Sequence, residues 1–419
     1  MQPLTSKLPE PKCPQGVNSK TFTPVPPNPL LTILDIYDWH HQHSSQHPFF
    51  VYPDDSSDTN TSTILWGDAV QAVYRIAHSV LASMTAGIGD ERPLVGLCLT
   101  TDNLTYMLSI IGAMRTGLPV ILISDCLSPA TMDHIISTSG VSHIVLNKDD
   151  SRVCSLITDS ISRTQQMRPD LSITTSFIPT FNDLFPGDGS KIDPPNVKPY
   201  DLDSTAFILH SSGSTAFPKL ASWTYKMISV TPLWQTWYGE KDICGHIMST
   251  PSIPMAGAVG AMQTLLTASS GLIISGFKPT SPAIVANAEN TWQTMVDTKA
   301  TYGLIFQPYL CAWAQDPEKV KVLSKLDGVL FAGGPLPKVF GDKLFQAGVN
   351  LFLWFGSFED GELLGLIVDV SPAYLAENDV TTDEGAANFK EKIWPTVQRY
   401  NAIVPVPAIL TKEASEMSL

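Results

Sequence analysis

Between positions 94 and 146 short apolar runs alternate with helical periods, and few folds accommodate that alternation. Residues 94–99 read as a buried strand, 104–116 as a helix, 119–124 as a strand, 129–138 as a helix and 143–146 as a third strand. Strands that are apolar on both sides need cover on both faces, so the pattern predicts an α/β fold with a mostly parallel sheet between helical layers. Upstream, Ala69, Val70, Val73, Ile76 and Ala77 recur at spacings of three and four, which predicts a helix over 67–84. A Pro-, Gly- and Asp-rich linker is expected at 183–200, then helix, strand and helix to 297, and strands at 302–306, 328–331 and 351–354.

Composition narrows the function classes. At 419 residues the chain exceeds one simple core, and 43% hydrophobic content supports packed subdomains. A net charge of −14 lacks the basic surface that nucleic acid requires, so no nucleic-acid partner is expected. The six cysteines are dispersed with no Cys-x-x-Cys pair. This reads as a reducing, cytoplasmic setting with neither zinc nor disulfides. The first 28 residues are a Pro-rich polar lead-in without a signal core. Residues 249–277 carry no charge and are long enough for a membrane span, yet Pro254, Gln263 and 267–271 interrupt them. A buried helix near 256–266 and a core strand near 272–275 are expected instead, with no membrane partner. His40, His41, His43 and His47 read as a solvated helix end rather than a metal site, lacking Cys or carboxylate companions. Asn60 and Asn103 fall in glycosylation sequons, which carry no weight without secretion.

The chemistry concentrates in Ser211-Ser212-Gly213-Ser214-Thr215-Ala216-Phe217-Pro218-Lys219, directly after the apolar run Ala206-Phe207-Ile208-Leu209. Small residues let the backbone aim N–H groups at one point, and the hydroxyls with Lys219 add donors and positive charge, the equipment for holding phosphates. A polar turn is the plain alternative. Pro218 before Lys219 excludes a Walker loop, and no Gly-x-Ser-x-Gly elbow makes Ser212 or Ser214 a hydrolase nucleophile. His210 either orients the loop hydroxyls or ends the strand.

These nine residues resemble the phosphate loop of adenylate-forming enzymes, T/S-S-G-S-T-G-x-P-K, departing from it only at Ala216. The superfamily includes acyl-CoA synthetases, luciferases and the adenylation domains of peptide synthetases. Other family elements follow in order. Phe331-Ala332-Gly333-Gly334-Pro335-Leu336 looks like the family's turn against adenine, though a strand-to-helix turn is an equally natural reading. Leu353-Trp354-Phe355-Gly356-Ser357-Phe358-Glu359 resembles the Y-G-x-T-E element, with Phe358 in place of the Thr that contacts phosphate. Pro251-Ser252-Ile253-Pro254-Met255-Ala256-Gly257 stands where the acyl pocket is lined, with Pro254 in place of a His. The segment Ile393-Trp394-Pro395-Thr396-Val397-Gln398-Arg399-Tyr400-Asn401-Ala402 is similar to the small lobe of fungal adenylate-forming reductases, the peptide-synthetase-like enzymes of secondary metabolism.

The resemblance implies a large N-terminal domain over 29–362 of mostly parallel sheets flanked by helices, and a remnant of a small α+β lobe over 363–419. It implies ATP and Mg2+ as cofactors and a small carboxylic or amino acid as substrate, with a phosphopantetheine carrier as partner in intact relatives. Lys219 and Thr215 would be catalytic. Ser211, Ser212, Gly213, Ser214, Thr215, Lys219, Gly333, Gly334, Leu353, Trp354, Phe355 and Phe358 would hold the nucleotide. Pro254, Met255 and Gly257 would line the acid pocket, and Glu359 would bind the metal. The S/T-G-D motif expected after Glu359, whose Asp binds both ribose hydroxyls, and the lysine-bearing K-G-T motif are not found. Losing the ribose carboxylate forfeits roughly 3–6 kcal/mol at ~1.5–3 kcal/mol per charged hydrogen bond. The implied activity is ATP-dependent carboxylate activation, impaired by internal and C-terminal truncation. The alternatives are a degenerate nucleotide- or acid-binding module and, third, an acyl-CoA synthetase.

Overall fold

A computed structural model describes residues 13–26, 31–84, 93–197, 201–210, 217–228, 241–250, 267–332, 336–359, 362–368, 388 and 391. Two compact units divide the chain between Ala300 and Thr301.

In the first unit the elements run α1 (Ile33–His43), β1 (Pro48–Pro53), β2 (Thr61–Leu65), α2 (Trp66–Ser83), β3 (Leu94–Cys98), α3 (Asn103–Met114), β4 (Val120–Leu122) and α4 (Pro129–Ser139). They continue through β5 (Val141–Leu146), α5 (Ser151–Met167), β6 (Thr174–Phe177), α6 (Phe181–Leu184), β7 (Thr205–His210), β8 (Leu220–Thr224), β9 (Ile247–Ser249), β10 (Ile273–Ser275) and α7 (Ala288–Asp297). Six strands form one sheet in the order β6-β5-β3-β4-β7-β8, parallel except for the edge strand β8. The strands β9, β10 and β1 pair in parallel, and β2 turns back antiparallel on β1.

Local chemistry sets these elements. The helix α4 starts on a Ser128 cap with Pro129 inside the first turn, and stops at Gly140 in the left-handed region. Caps from Asp102 and Asp150 open α3 and α5. Every residue of α3 is buried, because it lies between the sheet and α2. On the opposite face Met132, Ile135 and Ile136 of α4 and Val153, Ile157 and Ile161 of α5 pack with strand residues Cys98, Ile121 and Ile144. The right-handed β3–α3–β4 and β4–α4–β5 crossovers require this division of helices between faces.

Two expectations change. The histidine-rich segment is only in part a solvated helix end: His43 is exposed and His41 half-buried, but His40 and His47 are buried. His40 Nε2 lies 2.7 Å from the Ala268 carbonyl and His47 Nε2 lies 2.8 Å from that of Gly271. Phe22 stacks on His40 with centroids 4.8 Å apart and leans on His47 at 5.1 Å. The described part of the Pro-rich lead-in is accordingly strapped down. Gln15 donates to the Lys241 carbonyl at 2.9 Å and accepts from Ile243 N–H at 2.8 Å. Gly271, at a φ of +68°, leaves room for Phe22, since a Cβ there would sit 2.9 Å from the ring. The chain after the loop continues first as the strand β8, not as a helix. The expected helix near 256–266 lies outside the described residues, while β10 occupies the expected core strand. Among the described residues no helix is long and apolar enough to cross a membrane.

In the second unit β11 (Tyr302–Phe306), α8 (Gln307–Trp313), α9 (Pro317–Leu323), β12 (Gly328–Ala332), α10 (Lys338–Gln346), β13 (Leu351–Glu359) and β14 (Glu362–Val368) follow one another. The strands β11, β12 and β13 are parallel and β14 is antiparallel to β13. The boundary expected at 362/363 falls at the start of β14. Beyond it, only 363–368, Asn388 and Glu391 of the small-lobe remnant are described.

Candidate nucleotide site

The Ser/Gly-rich loop is the connection of a hairpin. His210 of β7 pairs with Leu220 of β8, so positions 211–219 bridge two antiparallel strands at the edge of the six-stranded sheet. Ser211, Ser212, Gly213, Ser214 and Thr215 lie outside the described residues. At the loop's end Phe217 is exposed and stacked on His134 of α4, Pro218 is buried and Lys219 is exposed.

Because β3, β4, β5 and β7 are parallel, their carboxyl ends share one edge, where open α/β sheets place ligands. The N-termini of α3, α4 and α5 follow directly from β3, β4 and β5, so three helix dipoles present their positive ends there. Asp125, Asp150 and Arg152 are among the charges at the same edge. Arg152 approaches Asp125 at 3.6 Å and Asp150 at 3.8 Å, and Thr100 donates to Asp150 at 2.7 Å. Asp102, buried at the start of α3, accepts from Thr105 N–H at 2.9 Å, and burial pushes its carboxyl above the usual range. Ser124 N–H donates to His210 Nε2 at 3.1 Å, so the residue before the loop is tied to the end of β4.

The start of the expected acid pocket is fixed from α3. Asn103 Nδ2 donates to the Thr250 carbonyl at 2.9 Å and to its hydroxyl at 3.3 Å. Thr250 immediately precedes the segment containing Pro254, Met255 and Gly257, which lie outside the described residues. The sequon reading of Asn103 hid this role. A buried amide next to a helix cap was the available signal.

In the second unit, pairing of β12 with β13 runs through Phe331↔Leu353, two positions short of both Gly333 and Phe355. Gly333 and Gly334 themselves lie outside the described residues. Leu353, Trp354 and Phe355 are successive strand positions and Phe358 lies three further on, opposite Val368, Ile367, Leu366 and Leu363 of β14. Glu359 ends β13 directly across from Glu362, so two carboxylate-bearing positions share the hairpin mouth.

Residues 37–359 match the family described as AMP-binding enzyme. The chain is 33% identical to the adenylate-forming reductase Nps10 of Heterobasidion annosum over 440 residues, covering 98% of this chain and 39% of that protein. It is 26% identical to the adenylate-forming reductase Nps9 of Serpula lacrymans var. lacrymans, covering 80% of this chain and 31% of that protein. The chain thus spans about two fifths or less of the relatives it matches. Among solved structures, O-succinylbenzoate coenzyme A synthetase (MenE) from Bacillus subtilis, in complex with ATP and magnesium, superposes with a TM-score of 0.60. That likeness covers 82% of this chain and 63% of that one at 14% identity, and shows the fold: mainly parallel sheets flanked by helices.

Proposed function

The chain belongs to the AMP-binding enzyme family, and from that premise we propose that it activates a small carboxylic acid by ATP-dependent adenylation. The observation that carries the reading is the Ser211–Lys219 sequence on a hairpin at the carboxyl edge of a parallel sheet.

In this reading a substrate carboxylate oxygen attacks the α-phosphorus of ATP. The bond from that phosphorus to the bridging oxygen breaks, and pyrophosphate leaves with the electron pair. Ser211, Ser212, Ser214 and Thr215 hold the β,γ-phosphates through hydroxyls, Gly213 allows close backbone approach, and Lys219 offsets charge on the departing pyrophosphate. Gly333, Gly334 and Phe355 hold adenine, the ring offering a stacking face. Leu353, Trp354 and Phe358 shape the same end of β13. Glu359 holds Mg2+, which supplies charge neutralisation across the phosphates when bound. Pro254, Met255 and Gly257 line the acid pocket. The small-lobe assignment of 363–419 and the carrier-linked reductive step belong to the same proposal, by likeness to proteins named as adenylate-forming reductases.

The test is acid-dependent ATP–pyrophosphate exchange across amino, aryl and 2-oxo acids. Exchange with at least one acid, reduced on the order of a hundredfold in Lys219→Ala, is the expected result. Ala216, Pro254 and Phe358 depart from the family pattern at the phosphate and acid sites. A folded protein that binds ATP without exchange with any acid would favour the second reading, a binding module without turnover.

A further inference from the structure

The chain leaving β4 connects two elements and also fastens the phosphate loop at both ends. We propose that the segment 123–139 is the mount of this loop. Ser124 holds its entry through His210 and His134 holds its exit through Phe217, which makes His210 and Phe217 positioning residues for the nucleotide phosphates. The phosphate part of this inference rests on the adenylation reading above.

The entry is fixed by register and one hydrogen bond. β4 and β7 are parallel, with Ile121 opposite Ile208. Ser124 therefore comes level with the last residues of β7, and its N–H donates to His210 Nε2 at 3.1 Å. The His210 ring is buried. The bond requires Nε2 to be an acceptor, which specifies the neutral ring with its proton on Nδ1.

The exit is fixed by a ring stack. Phe217 is 56% exposed, an unusual position for a Phe in a polar loop. Its face lies on His134, with centroids 4.5 Å apart and planes inclined by 19°. This is the offset face-to-face geometry that aromatic pairs favour.

The mount is itself rigid. Ser128, Pro129 and Gly140 define the ends of α4, and Met132, Ile135 and Ile136 bury its other side against α5 and the sheet. The residues on either side of the loop, His210 and Phe217, are consequently each held to the segment 123–139. Restricting a loop before its ligand arrives removes part of the ordering cost of binding.

The test has two independent readouts. The first is hydrogen exchange of peptides covering 211–219 in the nucleotide-free protein. Phe217→Ala and His134→Ala should each speed exchange there without affecting α5, and the double variant should add nothing further. His210→Leu should act likewise, whereas His210→Gln, which keeps an acceptor for the Ser124 N–H, should stay near wild type. The second is the Kd of the fluorescent nucleotide mant-ATP, which should weaken roughly two- to tenfold in Phe217→Ala and His134→Ala.

Unchanged exchange, additive effects of Phe217→Ala and His134→Ala, or His210→Gln behaving as His210→Leu would overturn the fastening. Faster exchange with unchanged mant-ATP affinity would overturn the positioning role and leave the adenylation reading standing. A wild-type protein that binds no mant-ATP would overturn both the adenylation reading and the positioning role, whatever the exchange data show.

Discussion

His40 is a titratable ring in a place that accepts only its neutral form. The Ala268 carbonyl takes the proton on Nε2, leaving Nδ1, 3.0 Å from Ser44 Oγ, to accept from that hydroxyl. Burial, opposed by the Ala268 bond, lowers its pKa to about 3, and burial lowers that of His47 as well. In the unfolded chain both titrate near 6.5. Above that pH neither state binds the protons. Below it the unfolded chain binds protons that the folded one refuses, so stability falls as pH falls. The slope is up to about 1.4 kcal/mol per pH unit for each ring, ending for His40 near pH 3. Urea midpoints should therefore drop between pH 6.5 and 4.5. His40→Gln, which retains a donor for Ala268, should show a shallower drop, and equal slopes in the two proteins would refute the assignment.

At the scale of elements, α2 and α3 approach as closely as they do because residue 112 has no side chain. A Cβ on Gly112 would lie 2.6 Å from Ile76 Cγ2 and 3.0 Å from the Val73 carbonyl. Gly112→Ala should cost about 1–3 kcal/mol, read as a lower urea midpoint at unchanged m. A neutral Gly112→Ala would show that the helices can part without penalty.

Elements of this kind were legible in the sequence because their cause is local. The strand β3 and the helix α3 announce themselves by apolar runs and caps, and the sequence places both to within two residues or so. The strand β8 was misread although Ala221 and Trp223 alternate with Ser222 and Thr224, because a helix was expected after a phosphate loop. The buried histidines were illegible for a different reason. What makes their burial tolerable is a pair of carbonyls 228 and 224 positions away. No window of sequence contains both partners. The loop motif was readable as chemistry, whereas its moorings on Ser124 and His134 depend on the parallel register of β4 and β7.

For the whole molecule, the adenylation reading predicts mutual stabilisation by substrates. A ligand that binds only the folded state adds about 2.7 kcal/mol at a hundred times its Kd. MgATP should raise the thermal midpoint by a few degrees, and an accepted acid added with it should raise the midpoint further. An acid that supports exchange yet leaves the MgATP-bound midpoint unmoved would contradict a shared site.

The strap of residues 13–26 also has a consequence in time. Gln15 is made 226 residues before the Lys241 carbonyl that receives it. Phe22 and the two histidines beneath it likewise wait for the chain to reach Gly271. At about 5–20 residues per second, translation imposes a delay of roughly ten to fifty seconds. During it, Gln15 and Phe22, which end buried, have no partners to bury them. The strap is thus made long before it can be locked, and a nascent chain arrested short of 271 should carry this stretch accessible to protease.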